Sequence, residues 1–324
     1  MKQVKSLKIL VLFFLSLLIS ACGSDSEKVQ NAIDEANFLL NQENCTGARK
    51  VLDEVGYQRN NARYIAVYST TYACEANFTT VNFFANDLGD LNTTTGGIFG
   101  SLASFSTSSL MTSAEDLDFT KLQQAINTIL YSGGQSDSAS STRIGLFGAT
   151  QAAALHTQAV YMVLVNLGRW LRYHGNANAS GAKGQGTNTE NNNCLYSYDV
   201  ANGLIETALD NLAATNPCYR NILSGNPPPT ATTDMTKEKL CNGIVLFNNF
   251  IDIIINITFS GSNSGGLNNL GAAFDNLCTD LSIPADQCLI SLKDLDECKA
   301  VADDAAGFIN LQLYSILVFE SNFP

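Results

Sequence analysis

Apolar residues recur every three or four positions along most of this chain, and that spacing confines it to helices. In residues 27–42 the series is Val29, Ile33, Ala36, Leu39 and Leu40; in 46–55 it is Ala48, Val51, Leu52 and Val55. Such spacing lays one apolar stripe along an α-helix, whereas a half-buried strand needs strict alternation. The same reading predicts helices at 62–77, 79–88, 115–131, 144–174, 195–215, 235–259, 266–279 and 294–320, and strand signals are scarce. The expected fold class is therefore all-α, built of helical hairpins or a helical bundle.

Three stretches read as long loops. Residues 89–113 and 175–193 are rich in Gly, Ser, Thr and Asn, and 224–234 holds Pro227, Pro228 and Pro229. Loops of this length are either functional or disordered. The first also carries Ile98, Phe99, Leu102, Phe105, Leu110 and Met111. These residues suit a lid over a pocket or a partner contact; the plainer reading is a loop packed over its own core.

The 235–259 segment invites comparison with a membrane span. Asn248, Asn249, Asp252 and Asn256, however, repeat at about four-residue spacing. They form a polar stripe on an otherwise apolar helix, which fits a core helix with a narrow wet face. Burying that stripe in lipid would cost a few kcal/mol for the Asp alone. The apolar stretch 311–319 is too short to span and is expected to close the core.

The N-terminus carries a separate signal. Lys2, Lys5 and Lys8 precede residues 9–19, which are apolar except for Ser16. At about 17 Å as a helix, this run is shorter than a span and the right length for the apolar core of a signal peptide. It ends in Ile19-Ser20-Ala21-Cys22-Gly23. That sequence resembles a bacterial lipobox: an aliphatic residue, two small residues, then Cys. The resemblance implies a lipoprotein cleaved before Cys22, with acyl chains on that cysteine holding it to membrane lipid. Two or more hydrophobic signals are what stable anchoring requires. Gly23, in place of the Asp that retains such proteins in the inner membrane, implies the outer membrane of the cell envelope.

Residues 1–21 thus read as signal peptide, 22–27 as tether, 28–88 as a helical-hairpin subdomain and 89–324 as the main helical domain. Without the lysines at 2, 5 and 8, the 18 Lys+Arg fall to 15 against 30 Asp+Glu, a formal charge of −15. So acidic a surface repels phosphate backbones, and nucleic acid is not an expected partner.

Nine cysteines occur, at 22, 45, 74, 194, 218, 241, 278, 288 and 298. Setting Cys22 aside leaves eight, an even number that suits disulfides in an exported chain. There is no CxxC, and His156 and His174 lie far from any cysteine, so no metal site is expected. A helix over 195–215 would span roughly 30 Å, while bridged Cα atoms lie within about 7 Å, which argues against pairing Cys194 with Cys218. Cys45 can meet Cys74 across consecutive helices, and Cys278 can meet Cys288 across a Pro-containing turn. Cys218 can then meet Cys241 across the Pro triplet, leaving Cys194 with Cys298.

Chemistry is sparsely signalled. His156 sits in an Ala-rich helix and reads as a hydrogen-bonded core histidine before it reads as a base. No G-x-S-x-G elbow precedes a helix. Thr236-x-x-Lys239 matches a nucleophile–lysine spacing by chance. Asp116, Asp118, Asp294, Asp296 and Glu297 read as first-turn helix charges, and Asp303-Asp304 as mid-helix and solvated. The dense group is Arg169, Trp170, Arg172 and Tyr173, ahead of His174 and Gly175. Cations there complement a helix C-terminus, and Gly175 suits its cap. The same four residues are the candidates for contact with an anionic ligand.

Residues 28–88 also resemble the helical hairpins of tetratricopeptide repeats. Ile33, Ala36, Leu40, Ala48, Leu52 and Val55 fall near the small and large positions of one repeat. A 34-residue step carries Ile33 to Val67 and Leu40 to Cys74, while Ala36 meets Thr70 and Ala48 meets Asn82. Size, anchor and helicity are similar to those of hairpin-built lipoproteins that serve as accessory components of TRAP-type transporters. The expected function is a non-enzymatic binding or scaffold lipoprotein without cofactor, engaging an envelope protein or a small solute. The alternatives are a transporter accessory component and, behind it, a hydrolase.

Overall fold

The computed structural model describes residues 25–83, 87, 97–105, 111–187, 194–219, 235–257 and 277–323. The signal peptide, Cys22 and the expected loop at 224–234 lie outside them, as do parts of the other two expected loops and most of the expected helix at 266–279. The described residues contain helices and no strand, so the fold is all-α. None of these helices is long and apolar enough to cross a membrane.

The chain divides into two units, residues 1–58 and 59–324. The first is one hairpin, α1 (Asp25–Leu40) against α2 (Cys45–Glu54). Glu43 takes a left-handed φ of 60° in the connection, and the Asn44 side-chain oxygen caps α2 by accepting from the Gly47 N–H at 3.0 Å. Ile33, Ala36, Ala48 and Leu52 are buried, as their spacing predicts. The second expected hairpin does not belong to this unit. Its first helix, α3 (Ala62–Glu75), packs instead on α5 (Leu117–Leu130), because Tyr64, Ile65, Val67 and Ala73 are all buried in the larger core.

That larger unit is arranged around one helix. Between α3 and α5 comes α4 (Gly97–Ser104), and after α5 come α6 (Ser140–Phe147) and α7 (Ala149–His174). At 26 residues α7 is about 39 Å long, and it touches α3, α4, α5 and α6 together with α9 (Lys237–Ile255). It is apolar on most sides, as a helix enclosed by neighbours must be. The remaining helices of eight residues or more among the described residues are α8 (Gly203–Asp210), α10 (Leu295–Asp303) and α11 (Ala305–Val318). Helix α9 packs on α10, α10 on α11, and α11 on α8.

Several expected elements are redrawn. The 144–174 helix is broken at Gly148, whose φ of 78° ends α6 and begins α7. The 294–320 helix is broken at Asp304, which caps α11 by accepting from the Gly307 N–H at 2.7 Å; it is not mid-helix. Within 195–215 only Gly203–Asp210 is helical. Part of the expected loop 89–113 is helix α4, with Phe99, Leu102 and Ala103 fully buried, and Phe105 and Met111 are buried beyond it. Its small residues look loop-forming in sequence. In the fold α4 packs against α7, and a Cβ on Gly100 would lie 3.3 Å from the Gly181 carbonyl oxygen. Phe99 then meets Phe247 and Phe319 at ring-centroid distances of 5.4 and 5.2 Å.

The polar stripe of α9 is sealed where it crosses the core. The Asn248 amide donates to the carbonyls of Leu289 and Leu292 at 2.7 and 2.8 Å, and its oxygen accepts from the Tyr314 hydroxyl at 2.8 Å. The Asn249 amide donates to the carbonyl of Lys293 at 2.7 Å. Only Asn256, past the end of the helix, is exposed as a wet face would be. Tyr314 belongs to α11, which closes this side of the core.

Candidate functional site

Three disulfides cross-link the larger unit. Cys194 is bonded to Cys218 with Cα atoms 4.7 Å apart, Cys241 to Cys298 at 5.7 Å and Cys278 to Cys288 at 5.9 Å. The Cys278–Cys288 bridge joins the pair expected across the turn. The pairings Cys218–Cys241 and Cys194–Cys298 are overturned. The premise against Cys194–Cys218 was a helix over 195–215, and α8 is too short to hold those two cysteines apart. Cys241 and Cys298 are buried on α9 and α10, which pack on each other, so they are the neighbours that bond. Cys45 and Cys74 fall in different units, and their pairing is a proposal for peptide mapping.

Beside the Cys194–Cys218 bridge lies Glu320, fully buried. Its carboxylate accepts from the Leu195 N–H at 2.7 Å and the Tyr198 hydroxyl at 2.8 Å, and it is ion-paired with the equally buried Lys183. Burial, then the Glu320 charge, push the Tyr198 phenol well above its ordinary range, so it stays a donor. The ligand atoms of Cys194, Cys218 and Glu320 lie within 4.8 Å of one another, a distance set that could hold a metal ion. The two sulfurs are bonded to each other, so neither offers a thiolate. Lys183 belongs to the expected 175–193 loop, and this ion pair makes its described part a fixed wall.

A second polar cluster surrounds Arg143, which is wholly buried. Its Nε donates to His156 Nε2 at 2.9 Å, Nη1 to the carbonyls of Leu130 (3.2 Å) and Ser138, and Nη2 to the Ser140 hydroxyl at 3.1 Å. Asp252 accepts from the Ser140 N–H at 2.8 Å and its hydroxyl at 2.7 Å, and from Lys293 at 2.9 Å. Burial, then the Arg143 charge, bring the His156 pKa down to about 4. Ser, His and Asp are thus all present, but in the wrong roles. The serine hydroxyl donates to Asp252, and the His156 lone pair is occupied by a guanidinium, so the imidazole cannot take a proton from Ser140. This is the core histidine the sequence suggests.

The candidate ligand residues separate. Trp170 is fully buried; its Nε1–H donates to the Lys239 carbonyl at 3.0 Å, and its ring lies so close to Gly243 that an added Cβ would meet Cζ2 at 2.4 Å. It is core, packed 5.5 Å from Phe319. Arg169 is also buried, at 1 % exposure, with Nη2 donating to the Ala76 carbonyl at 3.1 Å. Its Nε and Nη1 have no hydrogen-bond partner among the described residues.

Arg172 and Tyr173, by contrast, line an open cleft of about 410 Å³ at the C-terminal end of α7. Asn176, Ala177 and Thr187 contribute one part of its wall, and Met111 with Thr112 another. Local chemistry holds each part. Asn176 takes a left-handed φ of 44°, and its carbonyl accepts from the Gly186 N–H at 2.6 Å. Gly184 N–H donates to the Gly175 carbonyl at 2.8 Å. The Asn178 side chain accepts from the N–H groups of Ser180 and Ala182, both at 3.0 Å. Gly181, at φ 79°, abuts α4; a Cβ there would meet the Gly100 carbonyl oxygen at 1.9 Å. In the other part, Asp116 accepts from the Thr112 N–H at 3.1 Å and hydroxyl at 3.2 Å. Burial raises Asp116, but the hydrogen bonds from Thr112, Phe119 and Asp118 outweigh it and hold its carboxyl below the usual range.

Among the other acidic candidates, Asp118, Asp296 and Glu297 lie in the first turns of α5 and α10, as expected, whereas Asp116 and Asp294 are the caps of those helices. Asp116 and Asp294 accept from the first N–H groups of α5 and α10, and Thr236 caps α9 through the Lys239 N–H at 3.3 Å. Arg172 and Tyr173 are visible in the sequence through their density of cations and aromatics. Met111, Thr112, Asn176, Ala177 and Thr187 are not, because they sit in stretches whose composition signals only loop. No family model, curated protein or solved structure matches the chain.

Proposed function

We propose that the chain is an exported binding lipoprotein, tethered to a membrane through acylated Cys22 and presenting the α7 cleft to a small solute. The observation that carries this reading is the cleft itself. Its volume of about 410 Å³ suits a small organic molecule. A guanidinium, a phenol, a carboxamide and two hydroxyls supply orientation, and Met111 and Ala177 supply apolar surface. The disulfides support export, since such bridges persist in oxidising compartments. Scaffolding of an envelope protein is the companion reading; exposed Phe38 and Tyr57 in residues 25–58 favour it.

Two measurements test the proposal. Labelled palmitate should enter the wild-type protein and be absent from Cys22→Ser, which should leave the membrane fraction. Ligand-detected NMR on the mature chain should find small molecules that Tyr173→Leu no longer binds. An unlabelled wild type would refute the anchor. Binding indifferent to Tyr173 would refute the cleft.

A further inference from the structure

The α7 cleft is electrostatically asymmetric, which, granted the binding function proposed above, bears on what it binds. Arg169 and Arg172 stand one turn apart on α7, with Tyr173 beside them, so two like charges share one stretch of helix surface. Arg172 lines the cleft. Arg169 is buried at 1 % exposure, with Nε and Nη1 unpartnered among the described residues. Asp116, which secures Thr112 on the cleft wall, and Asp118 both act on Arg169 through space. Arg169 itself does not line the cleft; helical spacing places it one turn from Arg172, which does.

A buried cation with unmet donors is costly, and a nearby anion offsets part of that cost. The opposing influences limit how much negative charge is welcome. The carboxylate of Asp116 and the carbonyl end of the α7 dipole both repel anions. A singly charged group fits this balance better than a dianion. Tyr173 and Met111 offer flat and pliable apolar surface beside Arg172.

We infer that the cleft binds a small monocarboxylate, its carboxylate on Arg172 within the field of Arg169 and its apolar body against Tyr173 and Met111. Asn176 supplies a carboxamide for a further polar group.

The test uses the oxidised, mature chain and matched pairs of probes: phenylacetate with phenylacetamide, benzoate with benzamide, hexanoate with hexanamide, and inorganic phosphate. Affinities are read by saturation-transfer NMR and thermal shift at low ionic strength. Carboxylates should bind more tightly than their amides and more tightly than phosphate. Arg172→Gln should weaken the carboxylates by about tenfold and leave the amides unaffected. Arg169→Met, shown to be folded by circular dichroism, should weaken carboxylates alone by a smaller factor. Amides binding as well as carboxylates, or phosphate binding more tightly, overturns the inference while the cleft stands as a binding site. Carboxylates that bind with no response to Arg172→Gln, Tyr173→Leu or Asn176→Ala overturn the cleft reading as well. No binding by either class overturns the inference.

Discussion

Two buried arginines divide this protein into a part that is finished and a part that is not. Arg143 sits in a closed network, donating to His156, Ser140 and two carbonyls, with Asp252 and Lys293 close behind. Arg169 is buried as deeply, yet donates only to the Ala76 carbonyl and leaves Nε and Nη1 unmet among the described residues. Both side chains carry the same chemistry, and burial alone does not separate them. Hydrogen-bond completeness does. A satisfied network fixes a core, whereas an unsatisfied one beside a cleft marks a place where another group can contribute.

Mutation can erase or deepen this difference. Arg143→Met should cost on the order of 3–5 kcal/mol in urea unfolding, because it strands His156, Ser140 and two carbonyls at once. Arg169→Met should change stability by less than about 1 kcal/mol, or raise it, since few bonds are lost and a buried charge is removed. Equal costs for the two would abolish the distinction.

Reduction tests the frame that holds both regions. Each bridge is worth about 2–4 kcal/mol, so dithiothreitol should lower the melting temperature by many degrees. Non-reducing peptide mapping should join Cys194 to Cys218, Cys241 to Cys298 and Cys278 to Cys288. A map that joins Cys218 to Cys241 would overturn the arrangement around Glu320. Removing the single hydroxyl in Ser140→Ala should cost less, about 1–2 kcal/mol, because Asp252 keeps the Ser140 N–H and Lys293.

A further effect concerns pH. His156 titrates near 4 in the fold against an ordinary value near 6.5. A depressed histidine is neutral when folded and takes up a proton more readily when unfolded. Its contribution is therefore complete above pH 6.5 and is lost as pH falls from there toward 4. Stability measured across that window should decline, and His156→Gln should flatten the slope. A mutant with the wild-type slope would place its source elsewhere.

Much of the fold is legible in the residue pattern alone, because helical periodicity is a local property. The stripes at Ile33, Ala36, Ala48 and Leu52 bury as their spacing requires. The breaks at Gly148 and Asp304 are harder to read. Gly is tolerated inside many helices, and Asp304 becomes a cap only because the chain bends there to bring α10 onto α11. Helix α4 is hidden by its composition, since small residues signal a loop until α7 is present to receive them. The site divides similarly. Arg172 and Tyr173 announce themselves by type, but the withdrawal of Trp170 from them into the core depends on which face of α7 meets α9, and that is decided by packing.

The helical class, the lipobox-like N-terminus, the acidic charge and the even set of eight further cysteines all follow from local spacing or from counting residues. Other outcomes belong to the packed molecule: Cys194 meets Cys218, Asn248 and Asn249 donate to carbonyls of residues 289–293, and among the described residues Arg143 is satisfied while Arg169 is not. These depend on groups far apart along the chain, such as Lys183 and Glu320 at a separation of 137 residues. No local pattern encodes such a meeting; the packing of helices around α7 does.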